Sequence, residues 1–379
     1  MIAKWYPNRE DPQIGVFIQK HARAIARYNH VAVLFVHGAQ VLPETFLVEQ
    51  SYNDNLTEIK VYYRKNESVF AKLINGWRFT KAALKGIGLL EEALPFPEFV
   101  HAYILLRPAL LARFIARRKK IPMIVSEQWS GYLNENYRRK STIQKYLSRY
   151  LSKKAAAIHC VSGILAKRMK EHGLLHEPYY IIPNIVEKIE SPEVKRIDDY
   201  VHVLLVADLV DDIKNISAVI RMVGQVKTDI PFQLKIIGAG IDEIMLKNLA
   251  SSLGLLDDKV FFEGLKANME VYEYLVNSDF LIMNSKVETF SLICAEAMSC
   301  GKPVIATRCG GPDEFVIPMT GILIDPGSEE QLKDAFLKML LTHHQYDSEG
   351  IRKYAYELFS IDHAGASFQK LYISVNTPI

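Results

Sequence analysis

A strand, loop, helix, strand unit over residues 280–306 constrains the fold of this chain more than any other feature. Residues 280–283 form a short apolar run of strand type, and residues 291–298 have the composition of a compact helix. The sequence Gly-Lys-Pro at 301–303 ends that helix before a second apolar run begins at Val304. Short apolar strands that alternate with helices indicate an α/β fold built on a parallel sheet.

Two glutamates flank the start of the predicted helix. Glu296 falls within it, whereas Glu288 precedes it in the loop. On one helix the two would lie about 12 Å apart at ~1.5 Å per residue, too far for joint work on one atom, so each is predicted to hold a different part of an elongated ligand. The backbone N–H groups of the first helical turn, around Phe290, Ser291 and Leu292, favour an anion such as a diphosphate. A nucleotide sugar would suit this site.

The spacing of residues around this site resembles that of a known enzyme family. The resemblance is carried by Glu288, Glu296, Met298, Gly301, Pro303, Gly310, Gly311 and Glu314. This pattern resembles the retaining glycosyltransferases of family four, which have the GT-B fold. The resemblance implies that Glu288 contacts hydroxyls of the donor sugar and that Glu296 holds the ribose hydroxyls of the nucleotide. It spans nearly the whole chain and is most specific in the C-terminal half.

The resemblance implies an α/β architecture of two Rossmann-like, doubly wound domains that face a central cleft. A chain of 379 residues, 49% of them hydrophobic, is long enough to fill two cores. We expect an N-terminal acceptor-side domain over 1–187, a nucleotide-sugar domain over 188–359 and a helix over 360–379 that crosses back to the first domain. The acidic stretch 187–199 is the predicted linker. Only four residues precede the first loop, so the first strand is expected to be truncated or very short.

Charge is distributed unevenly between the two halves. Residues 1–187 carry 28 Lys and Arg against 15 Asp and Glu, whereas residues 188–379 carry 18 against 28. The basic half is therefore expected to attract an anionic surface, either membrane phospholipid or a lipid diphosphate acceptor. Nucleic acid is disfavoured because no reader motif or base-stacking aromatic platform accompanies the charge. A well-solvated basic face is the plainer alternative.

Residues 70–94 interleave large apolar side chains with lysine and arginine and predict a basic amphipathic helix pair. Such a face can lie in a bilayer interface or pack on its own domain. No apolar run is long enough to span a membrane, and the N-terminus lacks a signal-peptide core. The four cysteines show no metal-binding spacing and favour a reducing compartment. The expected location is cytoplasmic, peripheral on the inner face of the plasma membrane.

The N-terminal half contributes a second group of candidate residues. Gly15, in the first loop, occupies the position at which the family places a glycine close to the donor phosphates. Gln128 stands where related enzymes often have a histidine close to the transferred sugar, and glutamine cannot shuttle a proton. Glu127 beside it and His101, read as standing at the end of its strand, are the candidate acceptor-side contacts. A turn glycine and a solvated strand-end glutamate are the structural alternatives.

In the family, the exit loop of the second domain's first strand offers an arginine and, six residues on, a lysine to the donor diphosphate. Lys214 matches the lysine, but Asp208 stands at the arginine position and places a like charge near the phosphates. Either another cation serves, with Arg308 and Lys286 as the candidates, or donor binding is weak. The resemblance implies no metal and no cofactor beyond the nucleotide-sugar co-substrate, because helix amides and Lys214 would stabilise the departing diphosphate.

These observations favour a retaining, metal-independent hexosyltransferase. It would move a sugar from a nucleotide-diphosphate sugar to a glycan or lipid-linked acceptor, with surface polysaccharide biosynthesis as the expected setting. Glu288, Gln128 and Lys214 would act at the reacting atoms. Asp208 and Gln128 keep open a catalytically silent binding homologue, and a nucleotide-sugar epimerase of related fold is a further alternative. A periplasmic-type sugar binder is the weakest rival, because the N-terminus lacks a signal peptide.

Overall fold

A computed structural model describes residues 1–189 and 198–376 of the chain. The chain divides into two compact units: unit 1 comprises Met1–Ile185 and Ile361–Ile379, and unit 2 comprises Val186–Ser360. Most of the linker predicted over 187–199 lies outside the described residues.

Unit 1 is built on an eight-stranded sheet with the order β3-β4-β2-β1-β5-β6-β7-β8. Its strands are parallel except for the edge strand β3, which pairs antiparallel with β4. The strand order turns back between β1 and β5, so a topological switch point lies there. The strands are β1 (Ile2–Ala3), β2 (Val31–Ala39), β3 (Phe46–Asn53), β4 (Leu56–Arg64), β5 (Val100–Tyr103), β6 (Met123–Glu127), β7 (Ala157–Cys160) and β8 (Tyr179–Ile181).

Five helices connect these strands. They are α1 (Val16–Ala26), α2 (Ala71–Ala93), α3 (Arg107–Lys119), α4 (Thr142–Lys154) and α5 (Gly163–Glu171). The predicted helix pair over 70–94 is wrong, because α2 is one continuous helix of 23 residues. Its three interior glycines, Gly76, Gly86 and Gly88, each lower helix propensity by about 1 kcal/mol relative to alanine, which does not suffice to end a helix whose buried face packs on β2 and β4.

Unit 2 is a six-stranded, wholly parallel sheet with the order β11-β10-β9-β12-β13-β14, the classic doubly wound order. Its switch point lies between β9 and β12. The strands are β9 (Val201–Val206), β10 (Phe232–Ile237), β11 (Val260–Gly264), β12 (Phe280–Met283), β13 (Val304–Thr307) and β14 (Gly321–Ile324). The helices are α6 (Asp211–Lys214), α7 (Ile216–Gln225), α8 (Glu243–Ser252), α9 (Asn268–Val276), α10 (Leu292–Ser299), α11 (Glu329–Thr342) and α12 (Ser348–Phe359).

The last helix, α13 (Ile361–Asn376), belongs to unit 1, as the resemblance implied. It packs along α1, and its Phe368 and Tyr372 enter the same apolar core as Ile18 and Ile25. Two parallel α/β sheets with a C-terminal helix returned to the first unit confirm the predicted fold class. No helix in the two described stretches is long and apolar enough to cross a membrane.

The first strand was predicted to be truncated or very short, and in the structure it is very short. β1 has two residues, yet it lies at the centre of the sheet, paired in parallel with β2 and with β5. Central pairing on both sides lets so short a strand hold its place, because its backbone groups bond to neighbours in both directions.

Candidate functional site

The candidate site of unit 2 lies at the carboxyl edge of its sheet, at the switch point. The chain leaves β9 through residues 207–215 and leaves β12 through residues 284–291. Because β9 and β12 are neighbours in the sheet, these two exit loops lie on either side of the crevice in which open α/β sheets bind ligands.

An ion pair joins the two loops. The Lys214 ammonium, at the end of α6, donates to Glu288 Oε1 over 2.6 Å, and the Ser285 hydroxyl donates to the same oxygen over 2.8 Å. The side chains of Lys214 and Glu288 are 23% and 17% exposed, so both remain accessible. Two of the predicted site residues are therefore brought together. Ser285 was not among the predicted residues, although a polar Asn-Ser pair directly after an apolar strand is a signal for it.

The loop that carries Glu288 is held by the backbone of the Cys309–Gly311 segment. The Glu288 amide donates to the Cys309 carbonyl over 3.2 Å, and the Gly311 amide donates back to the Glu288 carbonyl over 3.0 Å. A β-carbon on Gly311 would lie 2.3 Å from the Phe290 Cα, so only glycine allows this approach. The Gly-Gly pair in the motif thus fixes the backbone position of the proposed sugar contact.

A second glycine loop supports the other side of the crevice. The Leu209 amide donates to the Ala239 carbonyl over 3.0 Å. A β-carbon on Gly238 would lie 1.9 Å from the Ala207 carbonyl oxygen, and one on Gly240 would lie 2.3 Å from the Leu209 carbonyl oxygen. Asp208 lies on the exposed turn that these contacts define. The carboxylate at the family's arginine position is therefore at the solvent-facing edge of the site.

The start of α10 presents backbone rather than side chains. Ser291 precedes the helix in the left-handed region (φ 69°), and Leu292 is its first residue. The Phe290 ring is buried against Phe315 and Phe359, with each pair of ring centroids 5.3 Å apart. Its side chain is committed to the core, so its amide is the group that it can offer to a ligand.

Glu296 lies in the middle of α10 and is half-buried. Burial, and after it the charge of Glu296, raises the pKa of the Tyr272 phenol. Glu296 and Glu288 thus come from different elements, one from the helix and one from the loop, as their spacing predicted.

The two substitute cations form loose ion pairs. Lys286 Nζ lies 3.5 Å from Asp212 Oδ1, and Arg308 Nε lies 3.7 Å from Asp325 Oδ1. Both cationic side chains are about half exposed, 49% and 53%, and pairs of this kind contribute little to stability. Either cation can therefore leave its partner for a phosphate at small cost.

In unit 1, Gly15 stands directly before α1 with φ 71°. A β-carbon there would lie 2.4 Å from the backbone carbonyl carbon of Trp5. The fold therefore requires glycine at this position whether or not a donor phosphate lies beside it, and its donor contact stays a prediction.

Glu127 is the last residue of β6 and is 1% exposed, so the alternative of a solvated cap is wrong. Its carboxylate accepts hydrogen bonds from the backbone amides of Leu105, Gln128 and Trp129, at 3.0, 3.1 and 3.1 Å. Burial raises the pKa of this carboxyl, and the three amides oppose the shift. Glu127 thus organises two neighbouring strand-end turns.

Gln128 is 8% exposed, and within residues 1–189 and 198–376 its amide nitrogen has no hydrogen-bond partner. A buried, unpaired amide is costly in a fold and is compatible with a ligand contact. Its role near the sugar stays a prediction.

The structure does not place His101 at a strand end. It is the second residue of β5, which ends at Tyr103, and it is 2% exposed. Its Nδ1 lies 2.9 Å from the Tyr372 hydroxyl and its Nε2 2.6 Å from the Ser126 hydroxyl. Both ring nitrogens are engaged within the fold, which leaves neither for an acceptor.

Across the described part of the chain, no three His, Cys, Asp or Glu side chains are grouped so that they could hold a metal ion. The cations at the unit 2 site are those of Lys214, Lys286 and Arg308.

Comparison with known proteins shows similarity to glycosyltransferases. Residues 187–357 match the family described as "Glycosyl transferases group 1". An uncharacterised glycosyltransferase of Methanocaldococcus jannaschii is 26% identical over 298 residues, which cover 77% of each chain. Alpha-monoglucosyldiacylglycerol synthase of Streptococcus pneumoniae is 27% identical over 298 residues, which cover 73% of this chain and 66% of that enzyme.

Among solved structures, Anabaena HepE in complex with UDP and glucose is similar with a TM-score of 0.72 at 15% sequence identity. The superposition covers 99% of this chain and 100% of HepE. At this identity the likeness establishes the fold alone.

Proposed function

We propose that this chain, whose residues 187–357 match the group 1 glycosyltransferases, transfers a hexose from a nucleotide-diphosphate sugar to a lipid-linked or glycan acceptor with retention of configuration. The nucleotide sugar would bind to unit 2, and the acceptor to the basic unit 1. HepE binds UDP and glucose, which makes a uridine nucleotide the first donor to try. Surface polysaccharide biosynthesis is the proposed setting.

The observation that carries this proposal is the Lys214–Glu288 pair, which spans the switch point of unit 2 at 2.6 Å. A donor diphosphate would take the ammonium of Lys214 together with the first-turn amides of α10. Glu288 would then be released to accept hydrogen bonds from sugar hydroxyls. Glu296 would hold the ribose from the middle of α10.

The proposed transfer retains configuration through departure and attack on one face of the sugar. The bond between the anomeric carbon and the phosphate oxygen breaks, and the acceptor oxygen bonds to the same carbon on the same side. The acceptor hydroxyl proton passes to the leaving diphosphate. Lys214 and the α10 amides stabilise the negative charge that develops on that diphosphate. Gln128 would orient a sugar hydroxyl, because its amide can donate but cannot shuttle a proton.

Glu288→Gln and Glu296→Gln test the proposal. Each variant retains the shape of the side chain but removes the charged acceptor, so we expect turnover to fall at least about a hundredfold, as for loss of a charged hydrogen bond in the transition state. Product formation from UDP-glucose and a panel of GDP-, ADP- and CMP-sugars would be measured. Glu330→Gln, on the exposed first turn of α11, is the matched control.

Thermal unfolding with the same nucleotides separates binding from chemistry. Ligand at ~100 times its dissociation constant adds about 2.7 kcal/mol of stability, which is a shift of several degrees. If one nucleotide stabilises the protein but no donor is turned over, the silent binding homologue is the correct interpretation. If Glu288→Gln retains full turnover, the proposed site is wrong.

We further propose that α2 lies on an anionic membrane surface. Leu73, Trp77 and Leu84 are 76%, 55% and 55% exposed, and at 3.6 residues per turn they fall within about 40° of one another. Lys81 and Lys85 are exposed beside this stripe. An apolar stripe with flanking lysines is the pattern of an interfacial helix, and anionic lipids line the cytoplasmic leaflet. The similarity to a diacylglycerol glycosyltransferase is consistent with a lipid surface.

Co-sedimentation with vesicles tests this placement. Leu73→Gln with Trp77→Gln removes apolar area from the stripe, so binding to phosphatidylglycerol vesicles should fall at least about tenfold, since each large side chain contributes about 1.5–3 kcal/mol when buried. The matched control is Ile143→Gln with Tyr146→Gln, two exposed apolar residues on α4. Equal loss in both double variants, or no preference for anionic over neutral vesicles, contradicts the placement.

A further inference from the structure

Unit 1 carries an open pocket at its own switch point. The pocket has a volume of about 270 Å³, several times the roughly 30 Å³ that one water occupies in the liquid. It lies where the chain leaves β1, β2 and β4 and where α3 begins. Its lining combines aromatic and aliphatic side chains with three cations. The apolar side chains are those of Trp5, Leu34, Val36, Tyr63, Phe79 and Leu111.

The three cations are Lys4, Lys65 and Arg107, one from each of three segments that meet at the pocket. The Lys4 ammonium lies 4.5 Å from the centre of the Trp5 ring, and the Arg107 guanidinium lies 5.5 Å from that of Phe79. Cation and aromatic surface are thus presented side by side. A ligand that fills this space meets positive charge and ring surface together.

The N-terminus of α3 adds to the positive charge of the pocket. Arg107 is the first residue of this 13-residue helix, and Leu106 before it provides no side-chain cap. Pro108, the second residue of the helix, has no N–H, but the other amides of an uncapped first turn carry partial positive charge and favour an anion. These backbone amides add to the positive charge that Lys4, Lys65 and Arg107 already place at the pocket.

The backbone before α3 is held in an uncommon conformation. Ile104 and Leu106 have φ of 75° and 74°, in the left-handed region that costs a β-branched or bulky residue free energy. The Leu105 amide between them is held by the buried carboxylate of Glu127 over 3.0 Å. Strain of this kind persists only where the surrounding structure enforces it. Here the strained backbone connects the end of β5 to Arg107, the first residue of α3.

Two carboxylates lie close by and are already engaged. Glu10 bonds to His37, a residue of the pocket lining, over 2.8 Å and to the Gln40 amide over 2.8 Å. Glu127 lines an adjoining pocket together with Lys4 and Arg107, and its carboxylate oxygens accept three backbone hydrogen bonds. The pocket in which the three cations meet therefore keeps an excess of positive charge.

We propose that this pocket binds the phosphate or diphosphate group of an acceptor whose apolar chain or ring lies against Trp5, Tyr63 and Phe79. A doubly charged phosphate suits three cations around one space, and the planar fork of Arg107 matches its oxygens. Phe79 belongs to α2, so the pocket borders the helix that would lie on the membrane, and a lipid chain can reach it from there. The inference rests on the proposed function only in making the bound molecule the acceptor.

Calorimetric titration of the full chain tests the pocket without any sugar donor. Geranyl diphosphate should bind, whereas geraniol, which lacks the phosphates, and inorganic diphosphate, which lacks the chain, should each bind at least about tenfold more weakly. Arg107→Gln and Lys65→Gln should weaken geranyl diphosphate about tenfold each, because each removes one charged contact. Lys154→Gln, an exposed lysine at the end of α4, is the matched control and should bind as the parent does.

A short-chain phosphatidic acid in the same titration distinguishes a glycerolipid phosphate from a prenyl diphosphate. Whichever of the two binds more tightly names the acceptor class. Equal affinity for geraniol and geranyl diphosphate, or equal loss in Lys154→Gln and Arg107→Gln, overturns the proposal.

The donor site serves as an internal reference. Glu288→Gln should abolish transfer and leave geranyl diphosphate binding intact, so a failure of the proposed transferase does not hide the pocket. If geranyl diphosphate binds but Arg107→Gln leaves transfer to a phosphorylated acceptor unchanged, the pocket is not the acceptor site. Thermal unfolding of each variant shows whether the fold is retained.

Discussion

The carboxyl edges of the two sheets are built in different ways. In unit 2, glycines bring backbone against backbone: Gly311 lies against Phe290, and Gly238 lies against Ala207. In unit 1, the corresponding edge is an open pocket whose character comes from side chains such as Lys4 and Arg107. Both edges stand at a switch point of a doubly wound sheet, so the topology is shared and the construction is not.

This difference shows at which positions the fold restricts the choice of residue. An edge made from backbone contacts accepts only glycine at certain positions, which produces a motif that can be read from sequence. An edge made from side chains tolerates exchange, because a cation or a ring can come from several segments. This contrast suits a donor common to many enzymes on one side and a variable acceptor on the other.

The first prediction compares a glycine-to-alanine substitution at the edge of each sheet, and we expect the largest loss of stability at the unit 2 edge. Gly311→Ala places a β-carbon 2.3 Å from the Phe290 Cα, where only a backbone shift can relieve the clash. We expect a loss of about 2–3 kcal/mol in the free energy of unfolding, in the range of overpacked sites, together with loss of nucleotide binding. Gly224→Ala, in α7, meets nothing closer than 3.5 Å and should be neutral or slightly stabilising.

Gly38→Ala is the counterpart in unit 1. Its β-carbon would lie 2.7 Å from the far end of the Tyr63 ring, a side chain that borders the open pocket and can move into it. We expect a cost below about 1 kcal/mol, because the neighbour that must move is a ring end. Thermal unfolding of both variants measures their losses in the free energy of unfolding. Equal losses in Gly38→Ala and Gly311→Ala would contradict the proposed difference between the two edges.

The second prediction concerns pH, because fully buried histidines lie in unit 1. His159 Nδ1 lies 2.6 Å from the Ser126 hydroxyl, and its Nε2 lies 2.8 Å from the Ile182 carbonyl. Burial lowers the pKa of His159 from 6.5 to about 4. Between pH 6.5 and pH 4 the unfolded chain binds a proton at His159 and the folded chain does not. The free energy of unfolding is therefore highest above pH 6.5 and decreases as the pH falls through this range. The loss from this histidine at pH 5 is about 2 kcal/mol.

Tryptophan fluorescence isolates this effect, since Trp5, Trp77 and Trp129 are all in unit 1. The fluorescence unfolding midpoint should fall between pH 7.5 and pH 5. His159→Gln should cost stability at pH 7.5 and reduce the pH dependence without abolishing it, because burial also lowers the pKa values of His21 and His101. A variant with an unchanged slope would remove His159 from the explanation.

Much of unit 2 could be predicted from the sequence, since its short apolar runs alternate with helices at regular spacing. The strand Phe280–Met283 was predicted with the bounds that the structure has. Unit 1 was harder to predict. The β3–β4 hairpin was not anticipated, although the Asn-Asp-Asn turn between its strands, with Asp54 at φ 46°, is a hairpin signal.

The candidate sites show the same division. Glu288 and Lys214 were found because the motif fixes their spacing, and the structure joins them. The cations of the unit 1 pocket were not predicted as a group, because Lys4, Lys65 and Arg107 are far apart in sequence and only the strand order brings them together. His101 was misplaced because it was predicted at the end of its strand, whereas it is the second residue of β5, which continues to Tyr103.

The smallest effect comes from the residue that departs from the family pattern. Asp208→Arg replaces an exposed like charge with the phosphate fork that the family carries at this position, on a turn held by Gly238 and Gly240. We expect UDP to bind about tenfold more tightly, roughly 1.4 kcal/mol, because a favourable contact replaces a repulsion at a solvent-screened site. Asp229→Arg, with the same charge change at an exposed residue in the loop before β10, is the matched control. An equal gain in both variants would mean that the unit 2 edge responds to net charge alone. A gain confined to Asp208→Arg would mean that its backbone places position 208 against the diphosphate.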